Sequence, residues 1–165
     1  MAERTWWIRW RPERKEVIHV GLATIASVAS LLIARLFRMP ESYWAPITTM
    51  VVMQSTLGAA WEISKQRLIG TALGAAMGAL LATYFGPNAG VFGAGLFVSG
   101  LICATFRLER NAFRYTGITL AIVLLITRAQ AAWIIAIHRA IEISIGIAVG
   151  LAFAAIFPEQ QAAET

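Results

Sequence analysis

The chain has 165 residues, the length of one domain; 58% of them are hydrophobic and only 14% charged, with a mean hydropathy of +0.67, against roughly 25% charged for a typical soluble domain. A soluble chain this short leaves too much of its surface in water to hide that apolar content, so composition excludes an ordinary soluble domain and predicts one that uses lipid as its solvent. The net charge of +5 does not redirect this to nucleic acid, because no soluble domain remains to carry a basic face.

Residues 1–16 hold Arg4, Arg9, Arg11, Arg14 and Lys15 beside Trp6, Trp7 and Trp10, a pairing of basic and indole side chains suited to the headgroup layer. This segment is expected to lie on the membrane surface. Residues 17–158 are expected to form a polytopic all-α membrane helix bundle of about six spans: Val17–Phe37, Tyr43–Ala60, Leu68–Gly86, Ala89–Phe106, Phe113–Thr127 and Trp133–Phe157. About 20 residues at 1.5 Å each cross a ~30 Å hydrocarbon core, and the shorter runs borrow flanking residues or sit in a thinned bilayer. The first run is too long for a signal-peptide core and has no clear cleavage site after it, so it is expected to persist as a helix. Met39-Pro40-Glu41-Ser42, Gly86-Pro87-Asn88, Arg107 to Asn111 and Pro158 supply the breaks, and residues 159–165 form a short tail.

Placing the amino terminus in the cytoplasm puts ten basic residues inside and four (Arg35, Arg38, Arg128, Arg139) outside. The positive-inside bias therefore predicts cytoplasmic amino and carboxyl termini and, with them, an inner-membrane location. Sliding the sequence over itself by 72 positions aligns Arg35 with Arg107, Arg38 with Arg110, Tyr43 with Tyr115, Trp61 with Trp133, Arg67 with Arg139, Gly74 with Gly146, Gly78 with Gly150 and Phe85 with Phe157. Repeats 17–87 and 89–158 would each hold three spans. An odd number inverts the second copy, the arrangement that secondary transporters use around a midplane site; the plainer reading is an economical way to build a stable bundle.

Gly70, Gly74 and Gly78 fall on one helix face, as do Gly146 and Gly150, and small residues there let helix backbones approach closely. Arg67 and Arg139 are costly in a bilayer, at about 2.5–3.5 kcal/mol each. Either they snorkel from near the start of their spans, or they face a shared polar path and attract an anion. Glu142 lies one turn from Arg139 and His138 is beside it, so both are candidates for coupling or gating, with His19 a further titratable group. The second span is unusually polar: Thr48, Thr49, Gln54, Ser55 and Thr56 offer neutral hydrogen-bonding groups, and Pro46 frees a carbonyl near the helix start. Such a face can line a path or bind a neighbouring helix.

Tyr43-Trp44-Ala45 with Thr48-Thr49, the turn from Gln54 to Gly58, and Gln66-Arg67-Leu68-Ile69-Gly70-Thr71-Ala72-Leu73-Gly74 resemble the integral membrane transporter domain of the fusaric-acid-resistance-like, aromatic acid exporter family, and more distantly the plant aluminium-activated malate transporters. The resemblance covers roughly residues 17 to 158. It implies movement of organic anions, aromatic carboxylates among them, out across the inner membrane by a six-helix unit used in pairs. Arg67, Thr71, Tyr43, Trp44 and Thr48 match its motifs. Larger members carry a cytoplasmic domain and a second membrane half; this sequence holds one unit, so a homodimer would recreate the pair.

The expected function is thus a homo-oligomeric organic-anion transporter or channel, its partners the lipid bilayer and a small anion, with no nucleic acid, metal or cofactor. A non-transporting membrane subunit or scaffold is the competing reading. No glycine-rich phosphate loop, His-Glu-x-x-His zinc motif or Gly-x-Ser-x-Gly nucleophile is present, which argues against direct ATP use and against an enzyme.

Overall fold

A computed structural model describes residues 14–53, 56–126 and 131–157. Most of the proposed surface segment, Gln54 and the tail at 159–165 lie outside the described residues. The described residues form six helices: α1 (Arg14–Leu36), α2 (Trp44–Met53), α3 (Leu57–Phe85), α4 (Ala89–Thr105), α5 (Arg110–Leu125) and α6 (Ala132–Ile156). Of these, α1, α3 and α6 are both long and apolar enough to cross a membrane; α2 and α4 are apolar but shorter.

What lies inside fits lipid as the solvent. Ser30, Thr48, Thr49, Ser99, Thr116, Thr119, Arg139 and Glu142 are almost completely buried, whereas Val20, Leu32, Leu36, Phe97, Leu101, Ile137 and Ile156 point outward. A water-soluble fold reverses that distribution. Buried apolar side chains, among them Val52, Met53, Leu120, Val123, Ile135 and Ile143, fill the contacts between helices, alongside the close backbone approach and polar contacts that hold membrane helices together.

Glycines make the closest approaches. A Cβ on Gly70, Gly74 or Gly78 of α3 would lie 2.8, 2.9 or 2.8 Å from the Cβ of Tyr115, Thr119 or Val123 of α5. On α6, a Cβ at Gly146 would lie 2.6 Å from Thr48 Cβ, and one at Gly150 would lie 2.9 Å from Val52 Cβ, both on α2. The principal packing is therefore α3 on α5, α2 on α6, and α3 on α6, with α1 against α2 and α6, and α4 against α5 and α3.

The boundary between the second and third helices differs from the sequence expectation. The second span was expected to run to Ala60 and the third to begin at Leu68; instead α2 ends at Met53 and α3 begins at Leu57. Thr56 supplies the reason: its hydroxyl accepts the Ala59 N–H at 3.4 Å, capping a new helix as threonine does at this position. The polar stretch from Trp61 to Arg67 is consequently helical, with an exposed Lys65–Glu62 ion pair at 2.6 Å. Arg110 and Asn111, expected in a loop, already belong to α5, whereas the break after α3 falls where expected. Gly86 takes a left-handed φ of 71° after α3, and the Asn88 side chain accepts the Gly90 N–H at 2.7 Å to start α4.

Helices α1 and α4 end alike. Arg38 and Arg107 both adopt φ 53°; Met39 N–H reaches the Ala34 carbonyl and Leu108 N–H the Cys103 carbonyl, at 3.1 and 2.8 Å. This is a six-residue helix closure, usually built on glycine. The two arginines are 69 positions apart, so the end of α1 matches the end of α4 in a register three residues shorter than the offset that aligns the glycines.

Candidate functional site: a buried arginine pair on one face of α2

Residues Trp44 and Thr48 of α2 are four apart and so lie one above the other on the same helix face. Each holds an arginine from a different helix. The Arg67 Nε of α3 donates to Thr48 Oγ1 at 3.2 Å, and Thr48 Oγ1 in turn donates to the Trp44 carbonyl at 2.9 Å. The Arg139 guanidinium of α6 lies over the Trp44 ring, 3.6 Å from its centroid. The two arginines thus attach to positions one helical turn apart on the same face of α2.

Both are inside the protein: Arg67 is 7% exposed and Arg139 1%. Snorkelling is therefore not how the chain accommodates them. The shifted start of α3 places Arg67 ten residues, or about 15 Å, along its helix, where α2 and α5 pack around it. Burying such an ion costs several kcal/mol unless its surroundings compensate.

The compensation differs sharply between the two. Arg139 Nη1 lies 3.8 Å from Glu41 Oε2 and also interacts with the Glu142 charge. The two glutamates are themselves joined, the Glu41 backbone N–H donating to Glu142 Oε1 at 2.9 Å. Tyr43 donates its hydroxyl to Glu41 Oε1 at 3.0 Å. Arg67 has the Tyr115 ring of α5 at 4.9 Å and the Thr48 hydroxyl, but no carboxylate within ion-pair distance among the described residues. Arg139 Nε, Arg139 Nη1 and Trp44 Nε1 are buried donors with no hydrogen-bond partner among the described residues, although Arg139 Nη1 keeps its ion pair with Glu41.

Of the residues singled out from sequence, Thr48, Arg67, Arg139 and Glu142 meet here, with Tyr43 bound to the cluster through Glu41. Thr49 does something else: its hydroxyl reaches the Ala45 and Gly146 carbonyls, each at 3.1 Å, tying α2 to α6. Thr71 is buried in α3 at 1% exposure, and His138 is half-buried beside Arg139. His19 lines a pocket with Val20, Ala23, Thr24, Met50 and Met53. Sequence reasoning did not assign Glu41, Trp44 and Tyr115 to the site. Glu41 read as part of a helix break, although a carboxylate in the turn before a polar span was the available signal. The repeat alignment of Tyr43 with Tyr115 pointed to the third.

Helices packed through glycines around buried charges, with an apolar exterior, define a multi-pass membrane protein. Residues 27–153 match the family described as fusaric acid resistance protein-like, and the chain belongs to that family. Over 144 residues covering 82% of the chain it is 33% identical to the uncharacterized transporter YdhK of Escherichia coli strain K12, and to the same extent to its counterpart in strain O157:H7. The chain spans 22% of the length of those relatives. No solved structure matches it.

Proposed function

We propose that the protein is an inner-membrane transporter or channel for organic anions, aromatic carboxylates among them, and that Arg67 is the residue that meets the anion. The observation that carries this is Arg67 itself, a buried cation whose contacts among the described residues are a hydroxyl and a tyrosine ring and include no carboxylate. A buried charge of that kind is tolerated when a counter-ion visits it. The orphaned donors on Arg139 and Trp44 lie beside it along the same α2 face and offer further hydrogen bonds to an anion. Family membership, and the transporter name of the relatives, point the same way.

Two inverted three-helix repeats are the architecture this reading favours. Exchanging α1, α2 and α3 for α4, α5 and α6 turns the α3–α5 packing into α6–α2 and returns α3–α6 to itself. Trp61 and Trp133, at equivalent places near the starts of α3 and α6, are both exposed, as interfacial anchors are. All six helices cross the membrane in this arrangement, with both termini cytoplasmic. Moving Arg67 and Arg139 from loops to the interior removes one positive charge from each side and leaves the inside bias intact. A homodimer supplies the second unit, and export is the direction of transport.

A scaffold protein would have a sealed interior, and accessibility separates the two. In a Cys103→Ser background, Thr48→Cys and Thr71→Cys are expected to react with a small charged thiol reagent in membranes, and benzoate is expected to slow the reaction at Thr48→Cys. Lack of reaction at both positions under conditions that label an exposed control such as Lys65→Cys would contradict a polar path.

A further inference from the structure

The outer face of α4 carries a groove. Gly93 has no side chain, and nothing lies within 4 Å of a Cβ built on it. Two turns on, the absence of a side chain at Gly100 lets the Phe113 ring of α5 come within 3.2 Å of where its Cβ would be. The resulting groove, of about 450 Å³, is lined by Gly93, Leu96, Phe97, Gly100 and Leu101 of α4 and by Phe113 of α5. From Gly93 to Leu101 it runs about 12 Å along the helix. No lining residue is polar, and Phe97 and Leu101 are exposed.

One end of the groove is basic. Phe113 lies near the start of α5, and Arg110, three residues earlier, shares its helix face. Leu101 lies one turn from the end of α4, and Arg107 follows in the closure of that helix. Both arginines are exposed. The ion pairs found among the described residues, Lys65–Glu62 and Arg139–Glu41, involve neither of them. Glu109, the acid between them, is turned to α3, where Gln66 Nε2 donates to its Oε2. The first half of the chain lacks this combination. At the 72-residue offset Glu41 stands where Phe113 stands, and the pocket between α1 and α2 is lined in part by His19 and Thr24.

We infer that the α4–α5 groove binds one anionic phospholipid, with an acyl chain along Gly93 to Leu101 and the phosphate held by Arg107 and Arg110. Charge complementarity selects this occupant. A guanidinium pairs with phosphate oxygens through two parallel hydrogen bonds, and basic pockets between membrane helices are sites for anionic headgroups. A phosphatidylcholine brings its own cation and leaves the two arginines uncompensated. A second copy docked here about an axis along the membrane normal would bring its own Arg107 and Arg110 to the same depth, setting like charges together. In the topology proposed above, the basic end opens on the cytoplasmic leaflet.

Native mass spectrometry of the purified full chain tests this, with dioleoylphosphatidylglycerol or dioleoylphosphatidylcholine titrated into the detergent. The wild type is expected to retain one phosphatidylglycerol per chain at concentrations where phosphatidylcholine is not retained. Arg107→Gln combined with Arg110→Gln is expected to weaken that retention by about fivefold for each arginine removed. Arg110→Gln alone carries the single-arginine effect if the double variant does not fold. Gly93→Leu fills the groove without meeting another atom at Cβ and is expected to weaken phosphatidylglycerol binding with both arginines in place. In mixed vesicles of the two lipids, a phosphatidylglycerol with a diazirine in its acyl chain is expected to crosslink within residues 93–101. Equal retention of the two lipids by the wild type, a preference that survives loss of both arginines, or crosslinks confined to other helices would each overturn the inference. A dimer that Gly93→Leu splits, without any change in lipid retention, would overturn it too and assign the groove to a second copy. The anion reading of Arg67 stands or falls separately, because none of these residues touches that site.

Discussion

Replacing Arg67 with glutamine is expected to make the protein more resistant to heat and at the same time indifferent to anions. Glutamine keeps a donor for Thr48 and removes a buried cation with no carboxylate beside it. Exchange of buried charges for neutral side chains is often stabilising, by about 1–4 kcal/mol, and the lost cation–π contact with Tyr115, worth about 0.5–2 kcal/mol, offsets only part of that. The equivalent change at Arg139 is expected to act in the opposite direction. Arg139→Gln strands Glu41 and Glu142 beside each other, and breaking a buried pair by removing one partner costs about 3–5 kcal/mol. Thermal unfolding of the two variants in detergent, with and without benzoate, checks both signs. Equal destabilisation by the two substitutions would mean that Arg67 is as fully paired as Arg139.

The second large effect is expected at Gly146. A Cβ there meets the Ala45 carbonyl and lies 2.6 Å from Thr48 Cβ, and both belong to the rigid backbone and first turn of α2. Valine adds two methyl groups to that contact, so α6 must back away from α2. Overpacking of this kind costs about 1–3 kcal/mol, and here it also lifts Arg139 off Trp44 and breaks the Thr49 hydrogen bond to the Gly146 carbonyl. Gly146→Val is therefore expected to lose both stability and anion transport. Gly93→Ala serves as the contrast: nothing lies within 4 Å of a Cβ there, and alanine is the better helix former by up to ~1 kcal/mol. Unfolding temperatures for the pair should move apart; a tolerated Gly146→Val would mean that α2 and α6 are not held at this distance.

Much of this was legible in the chain. Hydropathy and the breaks at Pro40, Gly86 and Arg107 marked an all-helical chain, three of whose six described helices are long and apolar enough to cross a membrane, and the spacing of Gly70, Gly74 and Gly78 marked a face for close packing. The repeat offset pairs Arg67 with Arg139, the two arginines that the structure buries against α2. The α2–α3 boundary was not legible, because hydropathy reads the polar run from Trp61 to Arg67 as a loop. A helix can carry such a run when Glu62 and Lys65 face outward and Arg67 is buried by its neighbours. The three-residue difference between the ends of α1 and α4 was hidden for a related reason: Arg35 and Arg38 match Arg107 and Arg110 as letters, while the backbone closes at Arg38 and Arg107. The roles of Glu41 and Trp44 depend on how the α1–α2 turn meets α6, a contact between residues about a hundred positions apart that no local pattern encodes.

Anion flux through reconstituted chain, compared between wild type and Arg67→Gln, tests the central claim most directly. Proteoliposomes loaded with labelled benzoate are expected to release it with wild-type protein, to release it at the rate of protein-free vesicles with Arg67→Gln, and to retain wild-type release with the exposed Arg114→Gln. Equal release by wild type and Arg67→Gln would show that the buried arginine does not meet the anion.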